Sequence, residues 1–214
     1  MIDKEGLLSK IQLYVIADKR ICGYRDIEEV VGQAIEGGAQ MIQYRDKDSG
    51  DADFLSIASK LKAVCKERGV PFIVNDRADI AREVDADGVH LGQKDLSINE
   101  ARKILSPAGI IGKSASTIHQ ARKAEEEGAD YLGIGPIFDT LSKEIVEPIG
   151  LSIVPEARDS LKIPFYLIGG ITRDNLDQIV EAGRSRIAVI SAVVLSDDVK
   201  SATADLLKKL KTGT

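Results

Sequence analysis

Cysteine is scarce in this chain. The two present, Cys22 and Cys65, stand far apart, form no CxxC pair and supply no disulfide framework. That pattern suits a reducing compartment, and a cytoplasmic location is the expectation. Histidine is as rare: His90 and His119, with two distant cysteines, offer no zinc-site spacing. No apolar run approaches the ~18 residues a membrane span needs. The N-terminus MIDKEGLLSKIQLYVIADKR has no apolar stretch behind a basic segment, so no secretory signal is expected. Positive charge is not in excess either. The net charge is −5 with the signs interspersed, which excludes nucleic acid and membrane surfaces as expected partners. Walker loop, GxGxxG, GxSxG and a Ser-His-Asp arrangement are all missing.

What is present is an alternation. The 214 residues are 43% hydrophobic and 29% charged, enough for one globular domain spanning 1–214. Eight short runs, nearly continuous in apolar residues, lie at 12–17, 40–45, 71–75, 87–91, 109–114, 130–135, 164–169 and 186–191. Such runs suit parallel strands buried on both faces. Helical patterns separate them. Residues 26–37 place Ile27, Val30, Val31, Ala34 and Ile35 on one stripe, and 52–68 repeat the spacing from Phe54 to Cys65. Stretches 117–128 and 173–183 end in Gly128 and Gly183, a usual helix stop. Residues 197–214 read as a last helix with a frayed end. Eight β-then-α units without an inserted domain predict an α/β fold of the TIM (β/α)8 barrel type, with a doubly wound open sheet as the rival.

A barrel of this type carries its chemistry on the loops after its strands. After the second run, Gln43, Arg45 and Lys47 share one face if the chain stays extended, and such a basic pair needs an anion. After the third and fourth runs come Asn75, Asp76 and Asp95. The two carboxylates stand on adjacent loops and suit a shared Mg²⁺, although either also suits a helix N-cap. His90 ends a strand, where a satisfied core group is the commoner role. Ser114 follows the fifth run. After the sixth comes the longest connection, with Thr140, Ser142 and Lys143 as a phosphate grip on a lid-like loop. Gly169 and Gly170 follow the seventh run and Ser191 the eighth, the loops that often cradle phosphate through backbone N–H groups. Two separated anion grips with a metal pair suggest a diphosphate displaced by a second phosphorylated molecule.

Five segments in order, QYRDK, VNDRADIA, ADGVHLGQKDL, GADYLGIGPIF and IGGITRDN, resemble the thiamin phosphate synthase family, and the likeness runs from LYVIADKR to RIAVISAVV. The resemblance implies Mg²⁺-dependent transfer of a hydroxymethylpyrimidine group from its diphosphate to thiazole phosphate, with diphosphate leaving first. It implies that Gln43, Arg45, Lys47 and Asn75 hold the pyrimidine diphosphate and that Asp76 and Asp95 bind the metal. Lys143 would reach the diphosphate, and Ser114 would sit near the pyrimidine. Thr140, Ser142, Gly170, Ile190 and Ser191 would hold the thiazole phosphate. Arg45, Lys47, Lys143 and Ser114 are thereby the expected catalytic groups. A homodimer or a monomer is compatible with the likeness.

Some positions depart from the family pattern. In the sixth loop, Thr140-Leu141-Ser142-Lys143-Glu144 replaces two bracketing threonines, Lys and an acid two places on, and Lys113 stands where a small apolar residue is usual. Two alternatives follow: an isomerase like the thiazole tautomerases that share this barrel, and a non-catalytic binder of thiazole phosphate. The retained Gln43, Arg45, Lys47, Asp76 and Asp95 argue against the isomerase.

Overall fold

The structure of the chain, a computed structural model, describes residues 3–140, 147–183 and 186–212. Eight parallel strands close into a barrel in chain order: β1 (Leu13–Asp18), β2 (Met41–Arg45), β3 (Phe72–Asn75), β4 (Gly88–Leu91), β5 (Ile110–Ala115), β6 (Tyr131–Ile134), β7 (Phe165–Ile168) and β8 (Ile187–Val189). Pairing of β1 with β8, from Leu13 opposite Ile187 to Val15 opposite Val189, rules out the open sheet. The helices are α1 (Lys4–Lys10), α2 (Lys19–Cys22), α3 (Ile27–Glu36), α4 (Asp51–Glu67), α5 (Ala78–Glu83), α6 (Ile98–Ile104), α7 (Ile118–Glu126), α8 (Ile153–Ser160), α9 (Leu176–Glu181), α10 (Ser191–Val194) and α11 (Val199–Thr212).

Every strand begins one residue inside its apolar run. The residue left out is a junction that stitches the lower rim. Gln40 accepts the N–H of Gln12 at 2.8 Å. Asp87 accepts from Phe72 N at 2.9 Å, and Asp130 from Ile111 N at 2.7 Å. Polar groups at this end of a barrel serve stability.

Side chains alternate between two layers. Tyr14, Ile16, Met41, Ile73, Ile110, Tyr131, Tyr166 and Ala188 fill the barrel interior with Leu8 and Ile11. Their neighbours, among them Leu13, Val15, Ile42, Phe72 and Val74, pack beneath the helices. The sequence reading omits α1, which closes the lower end: Leu8 is buried in the interior cluster and its carbonyl accepts the Tyr166 hydroxyl at 2.8 Å. The short α2 and α10 are likewise unforeseen. Helix α9 starts at Leu176, three residues later than its pattern, because Asn175 folds back onto the Thr172 N–H and holds 172–175 in a turn. Among the described residues, no helix is long and apolar enough to cross a membrane.

Candidate active site

The strand ends bring most of the expected residues to one mouth, but the three side chains after β2 do not act as one clamp. Asp18 ends β1 directly opposite Arg45 in the register. The two form an ion pair in which Asp18 is almost wholly buried. Lys47 lies past the strand end and pairs instead with Asp76, beyond β3. Gln43 turns into the barrel, where its amide Nε2 donates to the Tyr14 hydroxyl. Arg45 therefore leans to one side and Lys47 to the other. Each cation already holds a carboxylate that orients it.

Neither metal candidate is a helix cap. Arg77 precedes α5 without a side-chain cap bond, and Ser97 caps α6 in a capping box with Glu100. Asp76 instead takes a left-handed backbone, φ +62°, a conformation Asp tolerates better than most residues. Its N–H donates to the His90 carbonyl at 2.9 Å, which fixes the turn between β3 and β4. Its carboxyl meets that of Asp95. Burial, the Asp95 contact and its charge push Asp76 up to about 6, against the pull of Lys47. Burial also works against charge on Asp95. There the hydrogen bond from Asp76, the Gly92 N–H at 2.6 Å and the ammonium groups of Lys47 and Lys113 outweigh it and hold the carboxyl below the usual range. Two touching carboxylates need a shared proton or a cation. Among the described residues no cluster of three or more His, Cys, Asp or Glu exists, so a transition-metal cage is not built. A pair of this kind fits Mg²⁺, which commonly takes one or two carboxylates and completes its shell with water and phosphate.

Lys113, unusual by the family pattern, has a defined task. It is buried on β5, and its ammonium donates to the Gly92 carbonyl at 2.8 Å and to the Leu96 carbonyl at 3.3 Å. Both lie on the loop that carries Asp95. Burial lowers the Lys113 pKa, while the charge of Asp95 supports it. On the adjoining position Ser114 faces inward, where its hydroxyl meets His90 Nε2 at 2.9 Å. His90 is a partnered interior group, as its commoner role implies: Nδ1 meets the Tyr131 hydroxyl at 3.0 Å. Asn75 ends β3 beside His90 and is buried.

The far half of the mouth is different in kind. A partly open pocket is lined by Pro136, Thr140, Gly170, Ile190 and Ser191, with other backbone of β6 to β8. The loop after β6 is strapped onto the end of β7, where Ile137 N donates to Ile168 O at 2.9 Å and Phe138 N to Gly169 O at 3.0 Å. Gly170 makes this possible. It holds φ +64°, and a Cβ there would sit 2.2 Å from the Asp139 carbonyl oxygen. Ser191 opens α10 at the cavity wall. Ser142, Lys143 and Glu144 lie outside the described residues.

Sequence reasoning missed Asp18, Tyr14 and Tyr131. Asp18 had a signal, an acid directly after the first apolar run. The tyrosines had none, since each reads as ordinary core.

The chain matches the family model for thiamine monophosphate synthase over residues 13–193. It is 43% identical over 205 residues to a thiamine-phosphate synthase of Shouchella clausii, covering 95% of this chain and 98% of the relative. Identity to the thiamine-phosphate synthase of Halalkalibacterium halodurans is 45% over 190 residues, 88% and 90% of the two chains. The solved thiamine phosphate pyrophosphorylase of Pyrococcus furiosus superposes with a TM-score of 0.87 at 40% identity, over 97% of this chain and 98% of that one. The barrel, its two-part mouth and these likenesses agree: the chain belongs to the thiamine monophosphate synthase family.

Proposed function

We propose that the chain transfers a hydroxymethylpyrimidine group from its diphosphate to thiazole phosphate, releasing diphosphate, with Mg²⁺ as cofactor. The observation that carries the reading is the division of one mouth into two anion sites. Asp76, Asp95, Lys47 and Arg45 gather over β1 to β4, and the backbone-lined cavity opens over β6 to β8. A reaction that joins two phosphorylated molecules needs both.

Asp76 and Asp95 would hold the metal, which when bound offsets charge on a diphosphate leaving group. Arg45 and Lys47 act on the same charge. Their partners Asp18 and Asp76 hold them in place beforehand, so little reorganisation is needed as the leaving group develops. Gln43 and Ser114 would contact the pyrimidine ring from opposite sides of the barrel interior. Gly170, Ile190, Ser191 and Thr140 would hold the thiazole phosphate, with Ser142 and Lys143 completing the loop above. The acceptor nitrogen of a thiazole carries no proton, so no general base is required. This accounts for a mouth rich in paired charges.

Purified protein supplied with Mg²⁺ and both substrates is expected to form thiamin phosphate, and chelation is expected to stop it. No product under those conditions would reject the proposal. The tautomerase reading predicts conversion of a thiazole tautomer without any pyrimidine, and the retained carboxylate pair weighs against it.

A further inference from the structure

A line of hydrogen bonds crosses the barrel interior from β2 to β5. Gln43 Nε2 donates to the Tyr14 hydroxyl. Tyr14 and Tyr131 hydroxyls meet at 2.9 Å, Tyr131 meets His90 Nδ1 at 3.0 Å, and His90 Nε2 meets Ser114 Oγ at 2.9 Å. The proposed function uses only the two ends. The interior is shaped around the middle. A Cβ on Gly112 would lie 2.2 Å from Tyr131 Cζ and 2.5 Å from His90 Nδ1. Tyr14, Tyr131 and Tyr166 pack edge to face, with ring centres 5.5–5.9 Å apart.

Proton counting gives the line a direction. Burial raises the pKa of Tyr14 and Tyr131, so each keeps one hydroxyl proton. With Gln43 donating to Tyr14, the Tyr14 proton goes to Tyr131 and the Tyr131 proton to His90 Nδ1. A neutral His90 then carries its proton on Nε2 and donates to Ser114. The serine hydroxyl proton remains to be given elsewhere. At the other end, pinning Nε2 leaves the Gln43 oxygen, and among the described residues nothing donates to it although Gln43 is only 1% exposed. Turning the Gln43 amide over would reverse every bond. With His90 neutral, the two ends thus show opposite character.

We propose that the Tyr14–Tyr131–His90 relay fixes a hydrogen-bond acceptor at Gln43 and a donor at Ser114, and that this polarity selects an aminopyrimidine over its oxo counterpart. An aminopyrimidine presents the complement across its ring: an amino N–H donor toward Gln43 and, on the far side, a ring-nitrogen acceptor toward Ser114. The oxo ring puts an acceptor where the amino group donates, leaving two acceptors facing each other at Gln43. Tyr14, Tyr131 and His90 are positioning residues. The selectivity part rests on the reading that Gln43 and Ser114 contact the pyrimidine, whereas the relay itself does not.

The tests separate the two. ¹⁵N-resolved NMR of the free protein, with His119→Gln to leave one histidine, is expected to show His90 as the Nε2–H tautomer. The Nδ1–H tautomer would overturn the polarity, whatever the activity. Tyr131→Phe and Tyr14→Phe keep the rings and remove one link each. Each is expected to cut the kcat/KM preference for the amino over the oxo pyrimidine diphosphate by about tenfold or more, the worth of one hydrogen bond, with KM for thiazole phosphate unchanged. Wild-type preference in both variants would overturn the selectivity claim. Absence of turnover in the wild type would reject the function and leave the tautomer result to decide the relay.

Discussion

The two halves of the barrel mouth differ in what they offer an anion. Over β1 to β4 the work falls to charged side chains already held in pairs, Arg45 with Asp18, Lys47 with Asp76, and Asp76 against Asp95. Over β6 to β8 the described wall is mostly glycine, apolar residues and backbone around a cavity. The first half is suited to charge that grows during reaction, because ions act at a distance and fixed charges need not reorganise. The second is suited to a phosphate whose charge stays constant, because oriented N–H groups supply shape as well as charge.

This contrast can be broken most sharply at Asp76. Asp76→Asn retains a hydrogen-bonding group toward Asp95 and removes the charge proposed to hold Mg²⁺. Turnover is expected to fall about a thousandfold, with a circular dichroism spectrum like the parent's and little change in KM for thiazole phosphate. Near-normal turnover would remove the carboxylate pair from the mechanism.

Arg45→Met should fail in two ways. Loss of the guanidinium is expected to lower kcat about a hundredfold. The stranded Asp18, almost fully buried, is expected to cost about 3 kcal/mol of stability in a denaturant titration. Asp18→Asn/Arg45→Met should recover much of the stability and none of the rate. Recovery of both would make the pair purely structural.

Gly170→Ala probes the other half. The left-handed backbone and the close Asp139 carbonyl are expected to loosen the strap onto β7 and raise KM for thiazole phosphate about tenfold, leaving the pyrimidine diphosphate KM within twofold. Equal changes in both constants would show that the halves are not separate sites. The smallest effect is expected from Lys113→Met, which frees the Asp95 loop from its two carbonyl contacts. The Mg²⁺ concentration for half-maximal rate should rise about threefold, and an unchanged value would reduce Lys113 to a packing role.

The strand runs were legible because a closed parallel barrel buries both faces of each strand, and only continuous apolar sequence satisfies that. Asp76, Asp95, Arg45 and Lys47 were legible as charges at strand ends, where burial must be explained. Their pairing was not. Three residues at alternate positions after β2 read as one clamp, yet the Arg45 side chain is drawn to Asp18 and Lys47 to Asp76, partners 27 and 29 residues away in the chain. Asp76 and Asp95 each read equally well as a cap or a ligand. The left-handed turn at Asp76 and the Ser97 capping box remove the cap role from both and leave the ligand role as a proposal. Helix α1 escaped because its two large apolar residues, Leu7 and Leu8, with Ile11 just past its end, make too short a pattern to register without the barrel end they cover.

By itself, the sequence determined the barrel class, the order of its units and the residue types at each strand end. Those follow from local periodicity and from position along each run. The tertiary structure decided which charges pair, that Lys113 holds a loop, and that Gln43, Tyr14, Tyr131, His90 and Ser114 form one line across five strands. Hydrogen bonds and ion pairs depend on distances of a few ångströms between residues remote in the chain, and closure of the barrel is what sets those distances.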